Sequence, residues 1–135
     1  MANGELLEAR TDVTRPNVLV VDDEPLVRWS VSETLTDSGY RVTQAGDALS
    51  ALEAMNAAPA DLVLLDLELP DASDLGVLSL MRRRSPGTPI ILMTAYGSEA
   101  LAAAACSRGA CAVIDKPFDM SALLPLVMKA ICRQA

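Results

Sequence analysis

The chain of 135 residues predicts a single α/β domain, a parallel sheet covered by helices on both faces. Two observations carry that reading. Short runs of strand length recur at residues 17–21, 40–45, 61–65, 89–93 and 111–114, and most are apolar throughout, as in strands buried on both faces. Between them lie helical patterns, so successive strands are joined by right-handed crossovers and run parallel.

Taken in order, NVLVV (17–21) is the first strand. Val27, Val31 and Leu35 then recur at four-residue spacing, an amphipathic helix ending near Gly39. YRVTQA (40–45) alternates and predicts a more exposed strand. Asp47 is placed to cap a helix carrying Leu49, Leu52 and Met55, which Pro59 closes. DLVLL (61–65) is again a buried strand, followed by a loop and a helix around Leu75, Leu78 and Met81. PIILM (89–93) is the fourth strand, Ser98 to Ser107 an alanine-rich helix, CAVI (111–114) the fifth strand and 119–133 the last helix.

Composition narrows the function. No apolar run approaches the roughly 18 residues that span a bilayer, and the opening MANGELLEARTDVTRP is polar and mixed in charge rather than a secretory signal. The formal net charge of −7 argues against direct nucleic-acid binding, which needs basic patches. Cys106, Cys111 and Cys132 are odd in number, scattered and set among apolar or alanine-rich neighbours, which predicts buried thiols and a reducing, cytoplasmic setting. Histidine is absent. Catalysis through an intrinsic imidazole and the usual zinc sites are therefore excluded.

Parallel sheets bind ligands beyond the carboxyl ends of their strands. Here strand 1 is followed by Asp22 and Asp23, strand 3 by Asp66, strand 4 by Thr94, and strand 5 by Asp115, Lys116 and Pro117. Two adjacent carboxylates about 4 Å apart repel by roughly 4 kcal/mol at an effective dielectric near 20. A solvated turn before a helix, with Pro25 in its first turn, would account for the pair alone. Three carboxylates converging at one edge call for a cation, and oxygen ligands with room for water suit Mg²⁺. Lys116 and Thr94 beside such a site suit a phosphoryl group, with Asp66 as the nucleophile that forms an aspartyl-phosphate. No GxxxxGK[ST] phosphate loop is present.

The segments VLVVDDEP, LVLLDLELPD, ILMTAYGS and IDKPF, in this order and spacing, resemble the receiver domain of bacterial two-component response regulators. The resemblance covers residues 17–133, leaving 1–16 as a tail expected to be disordered, in which Leu6 and Leu7 are candidates to dock on a partner. It implies a five-stranded parallel sheet of order 2-1-3-4-5. It further implies that Asp66 accepts a phosphoryl group from the phosphohistidine of a sensor histidine kinase or phosphotransfer protein, in a Mg²⁺-dependent reaction. Asp23, Asp66 and the backbone carbonyl of Glu68 would ligate Mg²⁺ directly, Asp22 would act through water, Thr94 and Lys116 would bind the phosphate, and the Lys116–Pro117 bond would be cis. Such a protein catalyses only its own phosphorylation and dephosphorylation. MTAYGS and VDDEPLVRWS are most similar to receivers that precede enhancer-binding transcription activators.

Three positions depart from the family. Val113 stands where a switching Tyr or Phe is usual, Asp74 where glycine is usual, and Pro125 lies within the last helix pattern. With Val113 too short to switch, readout is expected through Thr94, Tyr96 and the helix beginning at Ser98. That fourth helix and the fifth, through residues such as Met128, form the candidate homodimer or output surface. One alternative is a pseudo-receiver, a binding module that works without phosphorylation. A phosphohydrolase of the haloacid-dehalogenase kind is disfavoured, because it requires DxDxT after the first strand, whereas position 24 is Glu.

Overall fold

The computed structural model describes residues 15–72 and 74–132. Residues 1–14 of the expected tail, with Leu6 and Leu7, and the end of the domain at 133 lie outside the described residues, while Pro16 is tied to β2 by its carbonyl, which accepts the Arg41 N–H at 2.9 Å. Five strands, β1 (Asn17–Val21), β2 (Arg41–Ala45), β3 (Leu62–Asp66), β4 (Ile90–Thr94) and β5 (Ala112–Asp115), alternate with five helices. The helices are α1 (Pro25–Asp37), α2 (Ala48–Ala57), α3 (Gly76–Arg84), α4 (Glu99–Ser107) and α5 (Met120–Cys132). All strand pairings are parallel, in the order β2-β1-β3-β4-β5. Among the described residues no helix is long and apolar enough to cross a membrane.

Successive strand residues point to opposite faces, so each continuous apolar run feeds two cores. Leu19, Val63, Leu65 and Leu92 pack with Ala51 of α2, Leu78 and Met81 of α3 and Ala105 of α4. Val18, Val20, Leu64 and Met93 pack with Val31 and Leu35 of α1 and with Leu123 and Val127 of α5. The edge strand β2 is mostly exposed or half-buried, in keeping with its alternation.

Glycine closes α1 and α4 in the same way. Gly39 and Gly109 take φ of +98° and +110°, and the N–H of the following residue bonds back to Leu35 O and Ala105 O, at 3.1 and 3.0 Å. At α2, Asp47 accepts the Ser50 N–H at 2.7 Å as the sequence predicts. Asp71, in the loop after β3, accepts the Ala48 and Leu49 N–H groups at 2.8 and 3.1 Å.

The structure corrects the sequence reading in two respects. Asp66, Thr94 and Asp115 are not past their strands but are the last residues of β3, β4 and β5, because the ladder continues through Asp66↔Met93 and Thr94↔Asp115. The three cysteines, expected to be buried, are exposed. Cys106 follows the one buried residue of α4, Ala105, and so falls on its outer surface. Asp74 fills the place of the usual glycine by accepting the Gly76 N–H at 2.8 Å, a turn made by a side chain. Pro125 lies inside α5, where it offers no N–H to the carbonyl of Ser121; both residues are exposed, so water can serve that carbonyl.

Candidate functional site

The carboxyl ends of β1, β3, β4 and β5 bring the polar residues to one edge of the sheet. Asp22 is fully buried immediately after β1. Its Oδ1 accepts the Glu24 N–H at 2.9 Å, turning the chain into α1, and its backbone carbonyl accepts from Arg28 Nη1 at 2.6 Å. Asp66 is 1% exposed, and its Oδ1 accepts the Glu68 N–H at 3.1 Å. Carboxylate oxygens of Asp22, Asp23 and Asp66 lie within 4.8 Å of one another, with Asp23 the exposed member.

Lys116 enters from the loop after β5. Its Nζ lies 2.7 Å from Asp22 Oδ2, 3.3 Å from Asp66 Oδ2 and 3.6 Å from Glu24 Oε1. Its own N–H donates to Thr94 O at 2.7 Å, tying the ends of β4 and β5 together. The Lys116–Pro117 bond is cis. Burial, then repulsion from Asp22, raise the Asp66 carboxyl from 3.8 to about 7, against the opposing pull of the Glu68 N–H and Lys116. Burial pulls the Lys116 pKa down, but Asp22 and Asp66 more than offset it, and the ammonium is held above its ordinary value.

Thr94 is fully buried and does not face this ion pair through a hydrogen bond of its own. Its hydroxyl donates to Glu68 Oε1 at 3.3 Å and accepts the Tyr96 N–H at 3.1 Å. The Ala95 N–H donates to the same Glu68 oxygen at 2.9 Å. A cavity of about 260 Å³ joins these groups, lined by Asp23, Glu24, Asp66, Glu68, Ala95, Tyr96 and Lys116. Tyr96 is 77% exposed at its rim. Val113 stands apart from it, half-buried against the core beneath α2, α3 and α4.

Sequence reasoning missed the Glu68 side chain, the Ala95 N–H, Glu24 and Arg28. Only Glu24 had a local signal, its place beside the aspartate pair. Three clustered carboxylates with an open, solvated member form the hard oxygen set that a partly hydrated divalent cation takes. The Glu68 Oε2 nearby is buried with no hydrogen-bond partner among the described residues. The residues fit Mg²⁺.

A family model described as response regulator receiver domain matches residues 18–128. The chain belongs to the response regulator receiver family. Among its relatives, this receiver is 38% identical over 93% of its length to the probable transcriptional regulatory protein TcrX of Mycobacterium tuberculosis, and covers 53% of that protein. It is 34% identical over 85% of its length to the DNA-binding transcriptional regulator NtrC of Proteus hauseri, of which it covers 24%. The receiver thus spans about half the length of one relative and about a quarter of the other. A CheY-like receiver domain from Methanospirillum hungatei superimposes with a TM-score of 0.85 at 28% identity, over 90% of this chain and 97% of that one. The sheet order 2-1-3-4-5 and the likeness to receivers of transcription regulators are borne out.

Proposed function

We propose that this receiver takes a phosphoryl group onto Asp66 from a phosphohistidine of a sensor histidine kinase or phosphotransfer protein, and in response switches a partner-binding surface. The observation that carries this reading is a buried carboxylate facing a cavity lined also by Lys116, Ala95 and Glu68, with the Thr94 hydroxyl and the Ala95 N–H converging on Glu68. An ionised Asp66 oxygen attacks phosphorus, the new O–P bond forms, and the P–N bond breaks with its electron pair passing to the departing imidazole. Lys116, already 3.3 Å from Asp66, is placed to follow a phosphoryl oxygen and offset its charge. Thr94 and Ala95 supply the hydroxyl and N–H that another oxygen would accept.

Asp23, Asp66 and the Glu68 carbonyl would hold Mg²⁺ directly, with Asp22 acting through water. Bound there, the cation would neutralise charge on the carboxylates and the phosphoryl oxygens. Tyr96 and α4 are the route we propose for readout, with Val113 too small to rotate between poses. The exposed Tyr96 and Met128 mark the α4 and α5 faces as a candidate homodimer or output surface. The reading places the protein in the cytoplasm, where kinase-borne phosphoryl groups are made, and gives the acidic domain itself no contact with nucleic acid.

Intact mass after treatment with acetyl phosphate and Mg²⁺ tests the reading. The native chain should gain one phosphoryl group, while Asp66→Asn gains none and Asp23→Ala loses Mg²⁺ affinity. A native chain that gains no mass is the outcome that would establish a pseudo-receiver instead.

A further inference from the structure

The hydroxyl of Thr94 and the N–H of Ala95 converge on a single acceptor, and that acceptor is already a carboxylate oxygen, Glu68 Oε1, at 3.3 and 2.9 Å. Glu68 lies two residues beyond Asp66, its N–H is bonded to Asp66 Oδ1, and both line the same cavity of about 260 Å³. We infer that the Glu68 side chain is an internal competitor for the phosphoryl group, seated on the two donors that a phosphoryl oxygen on Asp66 would need. The inference rests on the reading of Asp66 as the acceptor.

One hydroxyl proton and one N–H cannot serve two anions at full strength, so phosphorylation must displace Glu68. A phosphoryl group brings about −1.5 to −2 charges, which repels the carboxylate from the seat it leaves. The hold on Glu68 is also weakened from within. Its Oε2 is buried with no hydrogen-bond partner among the described residues, and an orphaned charged oxygen offsets much of what two charge-assisted bonds contribute. The seat is therefore occupied firmly enough to fix the start of the β4–α4 loop at Ala95, yet can be vacated. Glu68 thereby sets both the ease of phosphorylation and the reference position of that loop.

The test uses the full chain as Glu68→Ala and Glu68→Gln; both keep the backbone carbonyl proposed to face Mg²⁺, and Gln keeps a neutral acceptor of the same length. Without metal or phosphodonor, exchange of the Ala95 amide should be about tenfold faster in Glu68→Ala and intermediate in Glu68→Gln. With Mg²⁺, beryllofluoride should bind about tenfold tighter to Glu68→Ala, and acetyl phosphate should label it faster by a similar factor. Unchanged Ala95 exchange, or affinity and labelling no greater than native, overturns the role of Glu68 while native labelling keeps Asp66 as acceptor. A native chain that takes no phosphoryl group overturns the acceptor reading and the competition with it.

Discussion

Asp66 meets water at only 1% of its surface, and burial followed by repulsion from Asp22 lifts its carboxyl from 3.8 to about 7. Between those two values the folded chain holds a proton that the unfolded chain has lost, so this group's contribution to stability falls as pH rises. The charge on Asp66 is thus a burden on the metal-free fold. Asp66→Asn, which keeps an acceptor for the Glu68 N–H, should be more stable than the native chain at pH 8 without Mg²⁺. The gain should be about 1–2 kcal/mol once water at the cavity mouth is allowed for, shrinking toward nothing near pH 4. Urea melts across that pH range measure it; equal stabilities at pH 8 would contradict the assigned cause. With millimolar Mg²⁺ the order should narrow or reverse, since only the native set of carboxylates gains from binding.

The loop leaving β3 is latched to the start of α2, because Asp71 accepts the first two N–H groups of that helix while Asp47 accepts the third. Those N–H groups hold the Asp71 carboxyl below its ordinary value. Its contribution is accordingly present above the unfolded pKa and lost as pH falls through the lower folded one. Asp71→Ala should melt roughly 4 °C lower at pH 7, and the gap should close below about pH 3.8. A gap independent of pH would point to packing instead. Four strands were legible because each is apolar on both faces and β2 because it alternates, and the polar residues at or just past the ends of the four named the edge where chemistry gathers. The Asp71 latch spans 23 positions and the Glu68–Thr94 bond 26, so no local pattern could reveal either. Exposure of the cysteines escaped for a related reason: apolar neighbours in sequence are not neighbours across a helix surface. In α4 only Ala105 is buried, which leaves that helix lightly anchored to the sheet. Loading with beryllofluoride should therefore alter amide protection across residues 94–108, whereas changes confined to the loop after Asp66 would exclude α4 from the readout.

On the scale of the whole molecule, four strand ends deliver the site to one rim while two separate cores clamp the sheet from its two faces. The outer side of α1 continues that rim. Leu26 and Trp29 stand 73% and 57% exposed, next to a second cavity of about 430 Å³ lined in part by Leu26, Val27, Phe118 and Met120. Trp29 is the sole tryptophan of the chain, and its position gives the protein a built-in optical gauge. An indole already bathed in water emits at long wavelength, and unfolding would move that colour very little. A partner settling over α1 would dry the ring and shift its light toward the blue. The colour of that emission is thus a weak gauge of melting and well placed to register docking, so the two events can be followed separately in one cuvette, circular dichroism reporting the first and colour the second.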